Sequence, residues 1–215
     1  MSAKILTLTT GPFRQNGYVV VEDGQAIIID PGSDGELFLE AARSAGAEIA
    51  AIINTHGHFD HIGGVQEIVE ATGAPFYLHS GDHALVRRAN LYKLLFQASA
   101  PIRTPTDMID LSVQDARLTL GAQEAEWFST PGHTAGSVCI RIGDALFTGD
   151  TVLSRGPGRA DLPGGNTADL AASLSRLATL PPALTAYPGH GRPGPLATLL
   201  AGATGKKEAL HDGGH

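Results

Sequence analysis

The chain has 215 residues, is 42% hydrophobic, carries a formal net charge of −7 with neutral histidines, and contains one cysteine, Cys139. That length suffices for a buried core in one α/β domain over residues 1–203, with a polar tail over 204–215, and the absence of a long Lys/Arg run disfavours a nucleic-acid partner. A single cysteine rules out an intrachain disulfide framework, no apolar run approaches a membrane span, and Met1 to Thr10 lacks a secretion signal, so a cytoplasmic location is expected.

Ile5 to Thr9 reads as a first strand, closed by Gly11-Pro12. Gly17 to Glu22 and Gln25 to Asp30 flank Asp23-Gly24, a hairpin signal that leaves Asp30 at the end of the third strand. Ser33 or Asp34 can cap a helix running to Ala45 and stopped by Gly46. Ile49 to Ile53 is a short β-branched run that opens into Asn54-Thr55-His56-Gly57-His58-Phe59-Asp60-His61. Ile62, Val65, Ile68 and Val69 then repeat at helical spacing, predicting a helix from His61 to about Thr72. A short strand follows at Phe76 to Leu78. Asp82 to Leu95 has helical spacing, and the Pro101 to Pro105 loop after it is expected over the strand ends, with residues 80–110 as a cover on the pocket.

From Val113 onward β-character returns, over Ala116 to Leu118, Ala125 to Ser129, Ser137 to Ile142 and Ala145 to Thr148. Asn166 or Thr167 begins a helix ending at Pro181-Pro182. Leu184 to Tyr187 is a last strand and Leu196 to Leu200 a last helix.

Four metal-binding side chains fall between His56 and His61. Residues His56, His58 and Asp60, spaced by two, share one side of an extended chain. A weaker recurrence places Gly57-His58, Gly132-His133, Gly149-Asp150 and Gly189-His190 just beyond β-like runs. His79, His83, His211 and His215 lack such a context and are read as surface groups. The set His56, His58, Asp60, His61, His133, Asp150 and His190 is too concentrated at strand ends to be incidental. Imidazole with carboxylate suits zinc, and also iron or manganese, while the lack of thiolates argues against a closed structural zinc site. So many ligands suit two divalent ions that share a carboxylate and a water.

Thr55-His56-x-His58-x-Asp60-His61 followed by His133, Asp150 and His190 resembles the metallo-β-lactamase-fold hydrolases, most closely the short glyoxalase II (hydroxyacylglutathione hydrolase) branch. The resemblance implies a four-layer αββα sandwich with the metals on one edge. It implies His56, His58 and His133 around one ion, Asp60, His61 and His190 around the other, and Asp150 between them. Asp30 is similar to the family's acid behind the ligand loop, which orients an imidazole. Many class B β-lactamases carry Arg where His61 stands, so antibiotic hydrolysis is not expected as the main activity.

The attacking group on this reading is a metal-bridging hydroxide, with no serine or cysteine nucleophile, and Cys139 belongs to the core. The run Gly156 to Gly165 resembles the glyoxalase II segment whose basic residue contacts glutathione, which gives Arg159 a substrate-binding role. The Tyr that the family carries two residues later is Asp161 here, and the Tyr two after the last histidine is Arg192. The expected activity is hydrolysis of a small-molecule thioester, with a glutathione-linked acyl group as the first substrate. An iron-dependent persulfide dioxygenase is the alternative. A lactonase and a metal-binding module without catalysis are further ones.

Overall fold

The computed structural model describes residues 3–97, 101–112 and 118–204. Strands β1 (Lys4–Thr10) and β2 (Gln15–Glu22) pair antiparallel, and β2 turns back into β3 (Gln25–Ile29). Asp23 and Gly24 both take positive φ, 49° and 77°, as a two-residue turn between twisted strands requires. There follow α1 (Gly35–Ser44), β4 (Glu48–Ile53), α2 (Phe59–Ile62), α3 (Val65–Thr72), β5 (Phe76–Leu78), α4 (His83–Arg87), α5 (Ala89–Gln97) and β6 (Ile109–Asp110). Among the described residues these strands make a six-stranded sheet in the order β1-β2-β3-β4-β5-β6.

The second half supplies β7 (Leu118–Leu120), β8 (Gln123–Ser129), β9 (Val138–Ile142), β10 (Ala145–Gly149), the ribbon β11 (Val152–Leu153) and β12 (Gly156–Pro157), α6 (Thr167–Leu177), β13 (Thr185–Pro188), β14 (Gly194–Pro195) and α7 (Leu196–Thr204). Its six-stranded sheet runs β14-β13-β10-β9-β8-β7.

The central strands are apolar on both faces because each sheet is covered twice. Val19, Ile28 and Ile52 pack outward against Phe38 of α1 and Val65 and Ile68 of α3. Their neighbours Val20, Ile27, Ile29 and Ile53 point the other way, against Val138, Ile140 and Phe147 of the second sheet. Cys139 and Leu146, again one residue out of phase, pack under Leu170, Leu174 and Leu177 of α6 and Leu196, Leu199 and Leu200 of α7. Three apolar layers between four layers of structure are the αββα sandwich that the resemblance implies. Each fully buried Ile, Leu or Phe contributes about 1.5–3 kcal/mol. A one-residue slip in β3 would exchange its two buried faces, so the register is strongly specified.

Three boundaries differ from expectation. The helix predicted from His61 to Thr72 begins earlier, at Phe59, and is broken between Ile62 and Val65. There Gly63 and Gly64 lie against the Pro31-Gly32 backbone, leaving no room for a Cβ on Gly63, and Gly64 N–H donates to Pro31 O at 2.8 Å. Asp34 occupies the N-terminal cap of α1, but its side chain makes no capping bond; Glu67 of α3 accepts from Gly35 N–H instead, at 2.8 Å. The helical run from Asp82 is split at Arg88 into α4 and α5.

Asn166 caps α6 as expected, accepting from the N–H groups of Ala168 and Asp169 at 2.9 and 3.2 Å. Of the strand expected over Ala116 to Leu118, Leu118 opens β7, while Ala116 and Arg117 lie outside the described residues. So do 205–215, which hold His211 and His215. Among the described residues no helix is long and apolar enough to cross a membrane.

Candidate metal centre

Five of the seven predicted ligands, and Asp30, lie beyond the C-terminal end of a strand; Asp60 and His61 lie in α2. Asp30 follows β3, His56 and His58 follow β4, His133 follows β8, Asp150 follows β10 and His190 follows β13. At this end the two sheets are joined by backbone bonds, Val138 N–H to Thr55 O at 2.8 Å and Asn16 N–H to Gly189 O at 2.7 Å. The join fixes the distance between ligands that come from different sheets. His58 is extended, at φ −71° and ψ 147°, so the two-residue spacing from His56 acts as expected. Asp60 does not continue that extended run; it arrives in the first turn of α2, together with His61.

The ligand-type atoms of His56, His58 and His133 lie within 4.8 Å of one another, as do those of Asp60, His61 and His190. Asp150 spans the two groups. Its Oδ1 is 3.6 Å from His61 Nε2, and its Oδ2 is 3.6 Å from both His133 Nε2 and His190 Nε2. Gly189 makes this packing possible, because a Cβ there would collide with Asp150 Oδ1 and His61 Cε1.

Hydrogen-bond partners assign the tautomers. His133 Nδ1 donates to Arg159 O at 2.6 Å and His190 Nδ1 donates to Phe13 O at 3.1 Å. His61 Nδ1 donates to Asp30 Oδ2 at 3.1 Å. The Thr55 hydroxyl donates to Asp30 Oδ2 at 2.6 Å, so its oxygen accepts from His56 Nδ1 at 3.0 Å. In all four rings Nδ1 is committed outward, so Nε2 is the nitrogen that faces the centre. His58 is turned the other way, with Nδ1 facing His133 Nε2 at 2.9 Å.

His56 Nε2, His61 Nε2 and Asp150 Oδ1 are buried with no protein partner. Buried polar atoms are rarely left unpaired, and a cluster of converging lone pairs is what a cation satisfies. The donor set therefore fits divalent ions, one between His56, His58 and His133 and one among Asp60, His61 and His190, with Asp150 within reach of both. Asp30, His56 and His61 also lie within 4.8 Å of one another. The oxygens of Asp30 already accept from Thr55 N–H at 2.7 Å, from the Thr55 hydroxyl and from His61, so they are committed to the loop that carries His56 and His61. It follows β3 at φ 49°, a left-handed conformation that a short polar side chain tolerates.

The two halves differ electrostatically. Burial first, then the surrounding imidazoles, hold His56 well below the ordinary histidine value. Burial and His133 bring His58 down to about 3. Burial also works against charge on His61, but Asp60, Asp150 and Asp30 outweigh it and raise His61 to about 9. Burial opposes charge on Asp60 as well, yet His61 and His190 pull its carboxyl far below the usual carboxylate range. His56 and His58 are thus held neutral, and the Asp60–His61 side is a carboxylate-rich seat for positive charge.

Several supporting residues carry no signal in the sequence. Asp82, fully buried, accepts from Gly57 N–H at 2.8 Å, Gly136 N–H at 2.8 Å and the Thr134 hydroxyl at 2.7 Å, tying the His56–His58 loop to the loop after His133. Asn16 donates to Pro188 O and Gly191 O at 3.1 and 2.7 Å, and the Tyr18 hydroxyl also donates to Pro188 O, holding the turn that carries His190. Gln15 donates to Asp30 O at 3.0 Å.

The centre forms the floor of a cleft of about 300 Å³, walled by Phe13, Phe59, Tyr92, Phe96, Leu153 and Leu162. Of the 80–110 stretch expected as a cover, Tyr92 and Phe96 of α5 line the cleft and the Pro101 to Pro105 loop does not, Ile102 N–H donating to Asn90 at 2.8 Å. Arg159 lines the cleft, but its guanidinium is held by Asp161 through two bonds of 2.9 and 2.7 Å. His79 and His83 lie outside this convergence; His79 Nδ1 accepts from Gly81 N–H at 3.1 Å.

Comparison with known proteins agrees with this geometry. Residues 10–190 match the family model described as the metallo-beta-lactamase superfamily. The chain is 35% identical over 188 residues to the probable metallo-hydrolase YqgX of Bacillus subtilis, covering 86% of this chain and 88% of that protein. It is 35% identical over 186 residues to a hydroxyacylglutathione hydrolase of Anaeromyxobacter dehalogenans, covering 86% of this chain and 64% of that one. Among solved structures, the BLEG-1 B3 metallo-beta-lactamase superposes with a TM-score of 0.83 at 31% identity, over 91% of this chain and 95% of that one. TTHA1623, solved in a di-iron-bound form, superposes at 0.80 and 34% identity, over 90% and 96%. ETHE1 from Myxococcus xanthus superposes at 0.71 and 26% identity, over 90% and 80%.

Proposed function

The chain belongs to the metallo-beta-lactamase superfamily, and from that premise we propose that it is a binuclear metallohydrolase of thioesters, with an S-(hydroxyacyl)glutathione as the first substrate to test. The observation that carries the reading is the set of unpartnered, inward-facing lone pairs on His56, His61 and Asp150 at the floor of an apolar cleft. Bound there, a pair of divalent ions supplies Lewis acidity to a carbonyl and a water acidic enough to attack at neutral pH. His56, His58 and His133 hold one ion on this reading, Asp60, His61 and His190 the other, and Asp150 both.

The chain's own part is positional. Asp30 and Thr55 hold the rings of His61 and His56, Asp82 ties the two ligand loops together, and the carbonyls of Phe13 and Arg159 orient His190 and His133. Phe13, Phe59, Tyr92, Phe96 and Leu162 exclude water around the acyl group and suit a polarisable sulfur. In the reaction water adds to the acyl carbon, the carbon–sulfur bond breaks, the thiolate takes up a proton and the acid departs. Neither a serine nor Cys139 is required: Cys139 is buried in the second sheet, away from the cleft lining.

The glutathione assignment draws support from the hydroxyacylglutathione hydrolase similarity. Arg159 would meet a substrate carboxylate only by exchanging its Asp161 partner for it. An iron-dependent persulfide dioxygenase is the second reading; the di-iron form of a relative at 34% identity supports iron as a metal for this fold but, with two ions, not the one-iron dioxygenase over the hydrolase. Purified protein assayed with S-lactoylglutathione, with glutathione persulfide under oxygen-uptake recording, and with a cephalosporin as control separates the readings. The proposal expects cleavage of the first and turnover of neither other. Oxygen uptake without thioester cleavage, or cephalosporin turnover as the dominant activity, contradicts it.

A further inference from the structure

Behind His190 the metal cleft opens into a second, larger groove of about 1060 Å³. The two share Phe13, Leu153 and His190, so a chain-like molecule whose carbonyl sits at the metals can leave through this groove. Three arginines line it, Arg14, Arg155 and Arg192, and no aspartate or glutamate does. The protein as a whole carries −7, so this is a local concentration of positive charge against the overall sign. None of the three forms an ion pair among the described residues, unlike Arg159 on the other wall of the cleft, which Asp161 neutralises. Thr7 and Thr198 add hydroxyls, the latter from the first turn of α7, while the Thr9 hydroxyl is taken by Asn16 Oδ1 at 2.8 Å.

Arg14 sits at φ 53°, a conformation disfavoured for a residue with a side chain, in a turn closed by Arg14 N–H to Gly11 O at 3.1 Å. The same turn presents the Phe13 carbonyl that accepts from His190 Nδ1. One strained turn thus serves the metal centre and the groove together.

Guanidinium groups pair with phosphate in a bidentate fork, and three of them around a groove without acids make a site for several negative charges at once. We propose that this groove binds a phosphate-bearing, polyanionic tail on the thiol half of the thioester, a nucleoside-diphosphate-type group, with the exposed Phe13 ring available to a base. The inference deepens the thioesterase reading and rests on it for the identity of the ligand; the anion site itself rests on the groove.

Calorimetric titration of the purified protein with adenosine diphosphate, inorganic tripolyphosphate and glutathione tests the groove directly. The diphosphate should bind, tripolyphosphate should compete with it, and salt should weaken both. Arg155→Gln combined with Arg192→Gln should weaken the diphosphate at least about tenfold and leave hydrolysis of an uncharged aryl thioester unchanged. Arg155→Gln alone gives the same direction if the double variant folds poorly. No diphosphate binding, or binding indifferent to the arginines, overturns the site even where the aryl thioester is cleaved. Tighter binding of glutathione than of the diphosphate, lost on the same substitutions, overturns the phosphate assignment. Diphosphate binding in a protein that cleaves no thioester upholds the groove and removes the thioesterase reading instead.

Discussion

At the scale of single residues, the candidate centre is a set of tautomers fixed from outside. Asp30 shows how: one carboxylate takes Thr55 N–H, the Thr55 hydroxyl and His61 Nδ1, and through them sets the rings of both His56 and His61. Asp30→Asn keeps the shape but puts an amide against one of these donors, and metal affinity measured by competition with a chromogenic chelator should fall about 10–100-fold. An unchanged affinity would remove Asp30 from the account. Asp150→Asn should abolish turnover and lower loading at both ions, read by activity and elemental analysis; full activity would mean that Asp150 does not join them. Cys139 is a contrasting case. Burial pushes its thiol up to about 11, so a thiol reagent at pH 8 should label it only after denaturant is added. Labelling of the native protein at the rate of a free thiol would place Cys139 at the surface.

At the scale of elements, strand ends do the gathering, and they were largely legible. The Gly-His and Gly-Asp pairs after β4, β8, β10 and β13 carried the site, because short apolar runs followed by glycine are strong strand-end signals. Asp60 was found although its local geometry was not, since spacing by two is read the same way whether the chain stays extended or enters a helix. Asp82 was not found. It stands before a helical run, where an aspartate ordinarily caps a helix in solvent, and only the fold shows it reaching Gly57, Thr134 and Gly136. Likewise, the break at Gly63-Gly64 depends on the Pro31-Gly32 backbone lying against it, a tertiary cause without local trace. Asp82→Ala leaves two buried amide donors unpaired, Gly57 and Gly136, while the Thr134 hydroxyl keeps Ser137 at 2.7 Å; at about 1–3 kcal/mol each, urea denaturation should show a loss of about 2 kcal/mol or more. A loss below about 1 kcal/mol would mean that water replaces it. Because Tyr92 and Phe96 face the cleft, a product analogue should slow limited proteolysis within α4 and α5. Equal cleavage with and without the analogue would detach α5 from the pocket.

At the scale of the molecule, the four layers bring candidate ligands from the first half of the chain, His56 to His61, against His133, Asp150 and His190 from the second, so that each group draws on both halves. β3 and β4 lie parallel in one sheet and β10 and β13 parallel in the other, so their C-terminal ends meet at one edge. The join through Thr55–Val138 and Asn16–Gly189 holds that edge closed. On the proposed reading a binuclear centre is a property of the whole sandwich, and ions bound there should stabilise the fold by mass action. The resemblance carried the sandwich; the groove of Arg14, Arg155 and Arg192 was out of reach, because its residues come from separate turns and only packing makes them neighbours.

The measurement that bears most directly on all of this is the metal-to-protein ratio of purified, dialysed chain, taken by elemental analysis. Two divalent ions per chain are expected, with their removal by chelator accompanied by loss of hydrolysis. A chain that holds none, or one that stays fully active after they are stripped, contradicts this expectation.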